Sequence, residues 1–423
     1  MSTAVAVTGL GLVAPNGLGV ADYWSATLRG ESGIGPLTRF DPASYPAQLA
    51  GEVSGFEAEH HIPRRLIPQT DHMTRLALAA SNWALADAAV DPATLPEFEM
   101  GVVTASASGG FEFGQRELEK LWSKGAEHVS AYQSFAWFYA VNTGQLSILH
   151  GMRGPSGVLV ADQAGGLDAI AHARRHLRKG TRLVLAGGVD SALCPWGWVA
   201  QLATGQLSPG RDPHRAYLPF DKDAGGFVPG EGGAILVLES LDGARQRGVE
   251  AWYGVITGYA ATFDPPPGSG RPPGLRRAIE LALADADLTA ADIDVVFADG
   301  YGVPRLDRIE AAAIAAVFGP GGVPVAVPKT MTGRLYSGGA PIDVAAALLS
   351  IRDGVVPPAV HVSAVPDDYE IDLVVGRPRA LSVRAALVLA RGHGGFNSAL
   401  VVREPDAAHR RPNRVVGKET VTA

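Results

Sequence analysis

The stretch Val158-Leu159-Val160-Ala161-Asp162-Gln163-Ala164-Gly165-Gly166-Leu167-Asp168 joins a short apolar run to a glycine pair and then to an amphipathic pattern. Val158 to Ala161 reads as a buried strand. Gly165-Gly166, followed by Leu167, Ile170, Ala171 and Leu177, reads as a sharp turn into a helix. Residue 163 therefore stands at a strand-to-helix corner. The unpaired N–H groups and partial positive charge of a helix start stabilise a thiolate, so a cysteine at this corner would be an activated nucleophile. Glutamine is neutral and not nucleophilic. Its amide can fill the same volume and bond the same backbone groups without forming a thioester, and it equally suits a plain structural role closing the helix start.

Working outward, the same alternation of short apolar runs and alanine-rich helical patterns recurs along the chain. Ala4 to Gly11 reads as a strand entering a glycine turn. Further strands are expected at 100–104, 183–186, 234–238, 251–256 and 295–298, and helices at 73–88, 166–178, 274–286, 306–317 and 342–351. Such alternation is the pattern of an α/β protein. The proline-rich segment from Asp264 to Pro273 cannot be regular helix or central strand and marks a long loop. Two layered halves, 1–250 and 251–405, are expected. A flexible tail is expected at 406–423, where prolines and charges follow no period.

With 423 residues, 47% hydrophobic and 19% charged, the chain has the material for a large core or two related halves. The first residues lack a basic region ahead of an apolar run, and no stretch of about 18 apolar residues occurs, so a cytoplasmic protein is expected, with no membrane partner. A net charge of −7 and the absence of a long basic block speak against nucleic acid. The lone cysteine, Cys194, lies in an apolar setting and reads as a small packed hydrophobe.

Three motifs carry little chemistry. Gly9-Leu10-Gly11-Leu12-Val13-Ala14 formally fits a dinucleotide-binding pattern, but Pro15-Asn16-Gly17 intervenes where a helix must start. His172 and His176 are four apart on a helix, yet the zinc-protease glutamate is missing and Arg174, Arg175, Arg178 and Lys179 read as a solvated basic face. No Gly-x-Ser-x-Gly elbow is present. No metal and no cofactor are expected.

Gly9 to Gly17, Leu218-Pro219-Phe220-Asp221 and Val228-Pro229-Gly230-Glu231-Gly232-Gly233-Ala234 together resemble signature stretches of β-ketoacyl synthases, and the resemblance runs to about Arg403. Phe135 to Gln145 and Pro195-Trp196-Gly197-Trp198 are similar to one subgroup, the chain length factors. These are the β subunits of the ketosynthase heterodimer in bacterial type II aromatic polyketide synthases. The resemblance implies a thiolase-like fold, two related βαβ-rich halves layered α-β-α-β-α. It also implies that an active member uses a cysteine, two histidines and a lysine. Gln163 stands at the cysteine position, Asp299 at the first histidine, Lys329 at the lysine and Arg334 at the second histidine; His393 stands where a gating aromatic is common. Claisen condensation needs a thiolate to carry the acyl chain and imidazoles to help stabilise an enolate, and none of these is present. Asp299 and Arg334 are expected to pair and close the pocket.

The resemblance further implies a non-condensing subunit. It would pair with a catalytic ketosynthase α subunit that receives malonyl units from an acyl carrier protein, and it would wall the tunnel into which the polyketide grows. Phe111 and Leu118, seven apart on one helical face, match positions associated with chain length; core packing is the other reading of both. Two alternatives are a decarboxylase making the acetyl starter and a purely structural partner. The aromatics Phe135, Trp137, Phe138 and Tyr139 suit either a large interface or the interior.

Overall fold

In the computed structural model, which describes residues 4–266 and 268–412, Val5–Ala14 form strand β1, buried along its whole length. Its pairing shifts between Val7 and Gly9. That bulge lets Val5 and Val7 before it, and Leu10, Leu12 and Ala14 after it, face one central core although the residue parity changes. Gly9 and Gly11 lie on the other face. A Cβ there would come 2.3 Å from the Ala84 carbonyl oxygen and 1.9 Å from that of Ala80, so these glycines admit a helix rather than a phosphate.

Apart from the two-residue strand Gly17–Leu18, which pairs back on the end of β1, the other strands of the main sheet are β2 (Met100–Ala105), β3 (Ser156–Leu159), β4 (Leu183–Asp190), β5 (Gly232–Ser240), β6 (Gly254–Phe263), β7 (Val295–Phe297), β8 (Pro324–Ala326), β9 (Asp372–Leu373), β10 (Ala385–Gly392) and β11 (Phe396–Arg403). Their order is β9-β8-β7-β10-β11-β6-β1-β5-β4-β2-β3. The halves meet where Val5 to Val7 pair antiparallel with Gly254 to Ile256. Outward from this seam each half repeats one pattern, two antiparallel pairings followed by two parallel ones, and the second half adds a third parallel pairing between β8 and β9. The halves are thus two copies of one design.

Helices complete the layers: α1 (His72–Asp87), α2 (Phe111–Lys124), α3 (Val141–His150), α4 (Ala164–Arg178), α5 (Pro195–Leu202), α6 (Leu275–Asp285), α7 (Pro304–Phe318) and α8 (Gly339–Asp353). α1 covers the outer face of the first half, and α6 and α7 cover that of the second. α4 and α8 lie between the halves, sharing one core with Val184 and Leu236 on one side and Val388 and Leu400 on the other. Every residue of α8 from Gly339 to Ser350 is buried, as a helix with core on all sides requires. The architecture is α-β-α-β-α. Strand alternation follows from it: Ala386 and Val388 face the central layer while Leu387 and Leu389 face the outer one.

Several expectations are corrected. The run at 158–161 is not a buried strand: β3 ends at Leu159, lies at the sheet edge paired only with β2, and leaves Val160 exposed. The helix after it starts at Ala164, and the strand expected at 251–256 starts at Gly254 and runs to Phe263. Arg174 is buried, not solvated, where α4 packs on the second half; it ion-pairs with Asp285 at 2.5 Å. The loose tail is corrected over 406–412, because the His409 ring stacks on Trp252 at 4.1 Å and Arg411 bonds Asp87 at 2.9 Å and the Thr8 carbonyl at 2.7 Å. The rest of that segment, 413–423, lies outside the described residues.

Glu231, from the 228–234 stretch, clasps three segments. Its carboxylate accepts from Val53 N at 2.9 Å and Ser191 Oγ at 2.6 Å, pairs with Arg39 and lies 3.4 Å from His72. Burial alone pushes this carboxyl up, but His72, Arg39 and Ser191 override it and hold its pKa down to about 2. Its folded value is thus below its unfolded one. The stabilisation is present above pH 4.5 and is lost as pH falls towards 2. Glu231→Gln is expected to lower the unfolding free energy at pH 7 by roughly 3 kcal/mol, the gap narrowing in urea titrations run below pH 4.

Candidate functional site

The corner that holds residue 163 is strained. Asp162 sits at φ +50°, in the left-handed region that costs a non-glycine residue on the order of 1 kcal/mol or more. Its carboxylate accepts from His393 N at 2.9 Å, which fixes the turn; His393 itself is exposed. Gly166 is required at the next turn, since a Cβ would fall 2.4 Å from Pro341 Cδ and 2.6 Å from the Ser337 carbonyl oxygen. The bend turns Gln163 inward, where it has no exposed surface.

The four residues singled out from the sequence converge here. Gln163 Nε2 donates to Asp299 Oδ1, and Arg334 Nη1 donates to Asp299 Oδ2 at 2.8 Å. Arg334 also donates to the Arg391 carbonyl at 3.1 Å and lies 3.8 Å over the Tyr301 ring. Burial works against the guanidinium charge, yet Asp299 overrides it and holds the Arg334 pKa well above the ordinary arginine value. Lys329 donates to the Ala298 carbonyl at 2.7 Å and ion-pairs with Asp343 at 2.5 Å. Burial pushes Asp343 up to about 6 although Lys329 pulls it down.

Around this centre the backbone is held by carboxylates. Glu310 accepts from Asp299 N at 2.7 Å and Gly300 N at 3.0 Å; Asp307 accepts from Phe220 N at 2.9 Å and Gly302 N at 3.0 Å. Burial raises both to about 7. Glu310, Asp343 and Tyr301 were not identified from the sequence, since nothing in the residue pattern shows that Glu310 turns back onto the Asp299 and Gly300 amides, that Asp343 meets Lys329 or that Tyr301 lies under Arg334. The arrangement offers no nucleophile and no free base. Gln163 Nε2 is engaged by Asp299, whose other oxygen is engaged by Arg334, and Gln163 has no exposed surface, which argues against a malonyl thioester reaching the amide and against acetyl formation there. Cys194, buried at the start of α5, has its thiol pushed up to about 11 by burial and is no substitute nucleophile.

The surface built by α2, α5 and the 135–139 segment is the reverse: apolar and open. α2 buries only Phe113, Gly114 and Glu117, and leaves Leu118 (38%) and Trp122 (83%) exposed. Phe111 stacks on Trp196 of α5, ring centroids 4.5 Å apart and 5° from parallel, and Gln115 accepts from Trp196 N at 2.8 Å. Trp137 (43%), Phe138 and Tyr139 are exposed next to them, so the aromatic run is not interior. Phe135 and Phe138 line a neighbouring cavity of about 480 Å³ with Ile148 and Leu149. Such an expanse of exposed aromatic surface marks an interaction face. Trp196 stands in a stretch that resembles the chain length factors, but its stacking on Phe111, 85 positions earlier, follows only from the fold.

Residues 2–244 match the family model described as the β-ketoacyl synthase N-terminal domain, and residues 253–363 match the C-terminal domain model. The chain belongs to the β-ketoacyl synthase family. Among β-ketoacyl synthases, it is 62% identical over 400 residues to the tetracenomycin polyketide synthase ketoacyl synthase beta subunit of Streptomyces glaucescens, covering 94% of this chain and 98% of that one. Among solved structures it is similar to the ishigamide ketosynthase/chain length factor, with TM-score 0.86 and 27% identity over 96% of this chain and all of that one. It is also similar to a type II acyl-carrier protein complex with its ketosynthase bound to the hexaketide, with TM-score 0.85 and 26% identity over the same shares. The thiolase-like fold of this family is the one described above. No helix among the described residues is long and apolar enough to cross a membrane.

Proposed function

We propose that this chain is the non-condensing β subunit of a type II polyketide ketosynthase. It pairs with a catalytic α subunit and limits the number of malonyl units added to the chain growing there. One observation carries the reading: the nucleophile position is a glutamine locked into a buried Asp299–Arg334 cluster, while the aromatic face around α2 lies open. The first removes condensation from this subunit; the second supplies a surface for the subunit that condenses. The tetracenomycin relative is named a beta subunit, and the ishigamide structure is titled a ketosynthase/chain length factor, which supports assigning the same role here.

In this assembly the acyl chain is carried on the partner's cysteine and extends into a tunnel walled by α2. Phe111, stacked on Trp196, and Leu118 stand at its end and exclude the next unit by volume. An acyl carrier protein delivers the malonyl units, and the complex works in the cytoplasm, where a single buried thiol stays reduced. Mixing the chain with a cognate catalytic ketosynthase, malonyl carrier protein and no other condensing enzyme tests the proposal. A one-to-one complex making long carrier-bound polyketide only when both chains are present is the expected result. The same product from the catalytic chain alone would contradict it.

A further inference from the structure

α2 begins without a cap of its own. Its N-cap residue is Gly110, which has no side chain, and α2 buries little of its length. The first N–H groups of a helix need outside acceptors. One comes from another helix: Phe113 N donates to Asp71 Oδ2 at 2.7 Å, from a residue 42 positions earlier. The other oxygen of the same carboxylate accepts from Met73 N at 2.9 Å and caps α1. Asp71 has no exposed surface. α1 is anchored in the core by Leu76, Ala77, Leu78, Ala80 and Ala84. The fit is tight, since a Cβ on Gly110 would fall 2.9 Å from Asp71 Cβ and 2.1 Å from the Ala136 carbonyl oxygen.

We infer that Asp71 is a positioning residue for product length: its one carboxylate ties the start of α2 to the core helix α1, and so fixes where Phe111 and Leu118 stand. This rests on the proposed role of α2 as the end of the tunnel. Asparagine cannot reproduce the arrangement. Its amide oxygen serves one of the two N–H groups, and its NH₂ then faces the other donor. Either helix keeps its cap, but the link between them is broken. Asp71 touches no substrate in this account; it acts through the helix that does.

The test reconstitutes the heterodimer with Asp71→Asn, with Leu118→Phe and with Asp221→Asn. Asp221 is a buried carboxylate that clasps Ser363 N and Ala364 N, away from α2. Two quantities are read: the ratio of longer to shorter carrier-bound products, and amide hydrogen exchange at 111–114. Asp71→Asn is expected to move the ratio towards longer products about fivefold, the effect of one lost helix cap, and to speed exchange in that turn. Asp221→Asn is expected to lower stability with neither change. A shift from Leu118→Phe with none from Asp71→Asn overturns the positioning role and leaves the tunnel reading standing. No shift from either overturns both. An equal shift from Asp221→Asn makes the effect one of general destabilisation and also overturns it. Should Asp71→Asn fail to pair, Asp71→Ser, which keeps the α1 cap alone, is read the same way.

Discussion

Leu118→Phe is expected to shorten the dominant carrier-bound polyketide by at least one two-carbon unit, with the ratio of the two products changing about tenfold. Leu118 lies on the open face of α2, one full heptad from Phe111, so both side chains project to the same side. In the proposed complex, where a partner covers this face, a phenyl ring in place of isobutyl would remove volume from the tunnel end. Overpacking a filled apolar site costs on the order of 1–3 kcal/mol, and 1.4 kcal/mol is a factor of ten in partitioning between extension and release. The check is the mass of the product from a heterodimer whose assembly matches wild type. Unchanged product length from an intact complex would remove Leu118 from the tunnel end.

Arg334→Met is expected to destabilise the chain by about 3–5 kcal/mol, because it leaves Asp299 buried, charged and without its cation. Much of that loss should return in the Arg334→Met, Asp299→Asn double variant, where the uncompensated charge is gone and Gln163 keeps an acceptor. The coupling between the two sites, read from denaturant titrations of the four proteins, measures the pair. Additive single losses would mean that the two side chains do not interact and that the pocket is held shut by other groups. A clear coupling energy makes the Gln163–Asp299–Arg334 cluster a structural clasp joining α4, the loop after β7 and the segment before α8.

The architecture was readable in the chain because it rests on local signals. Strands such as Leu183 to Ala186 announce themselves by apolar runs, and helices such as 73–88 by their period and alanine content. The vacant nucleophile position was readable for a similar reason, since Gln163 follows an apolar run and precedes a glycine pair. The pairing of Asp299 with Arg334 was expected from opposite charges at inherited positions, and the geometry places them in contact. What the sequence hid depends on contacts between distant segments. Val158-Leu159-Val160-Ala161 looked like core because apolar runs usually are; it lies at a sheet edge, where Val160 meets solvent unless another chain covers it. Arg174 looked solvated because its neighbours in sequence are basic, but the second half of the molecule brings Asp285 to it. Asp71 gave no signal at all, since its partner Phe113 N belongs to a helix whose place is set by tertiary packing.

The central claim is that this chain, and not the condensing subunit, decides product length. The most direct measurement holds one catalytic ketosynthase constant, pairs it in turn with this chain and with a β subunit of different α2 sequence, and weighs the carrier-bound products. Product mass that follows the β subunit is the predicted result; product mass that stays with the catalytic subunit, whichever β subunit is present, would contradict the account.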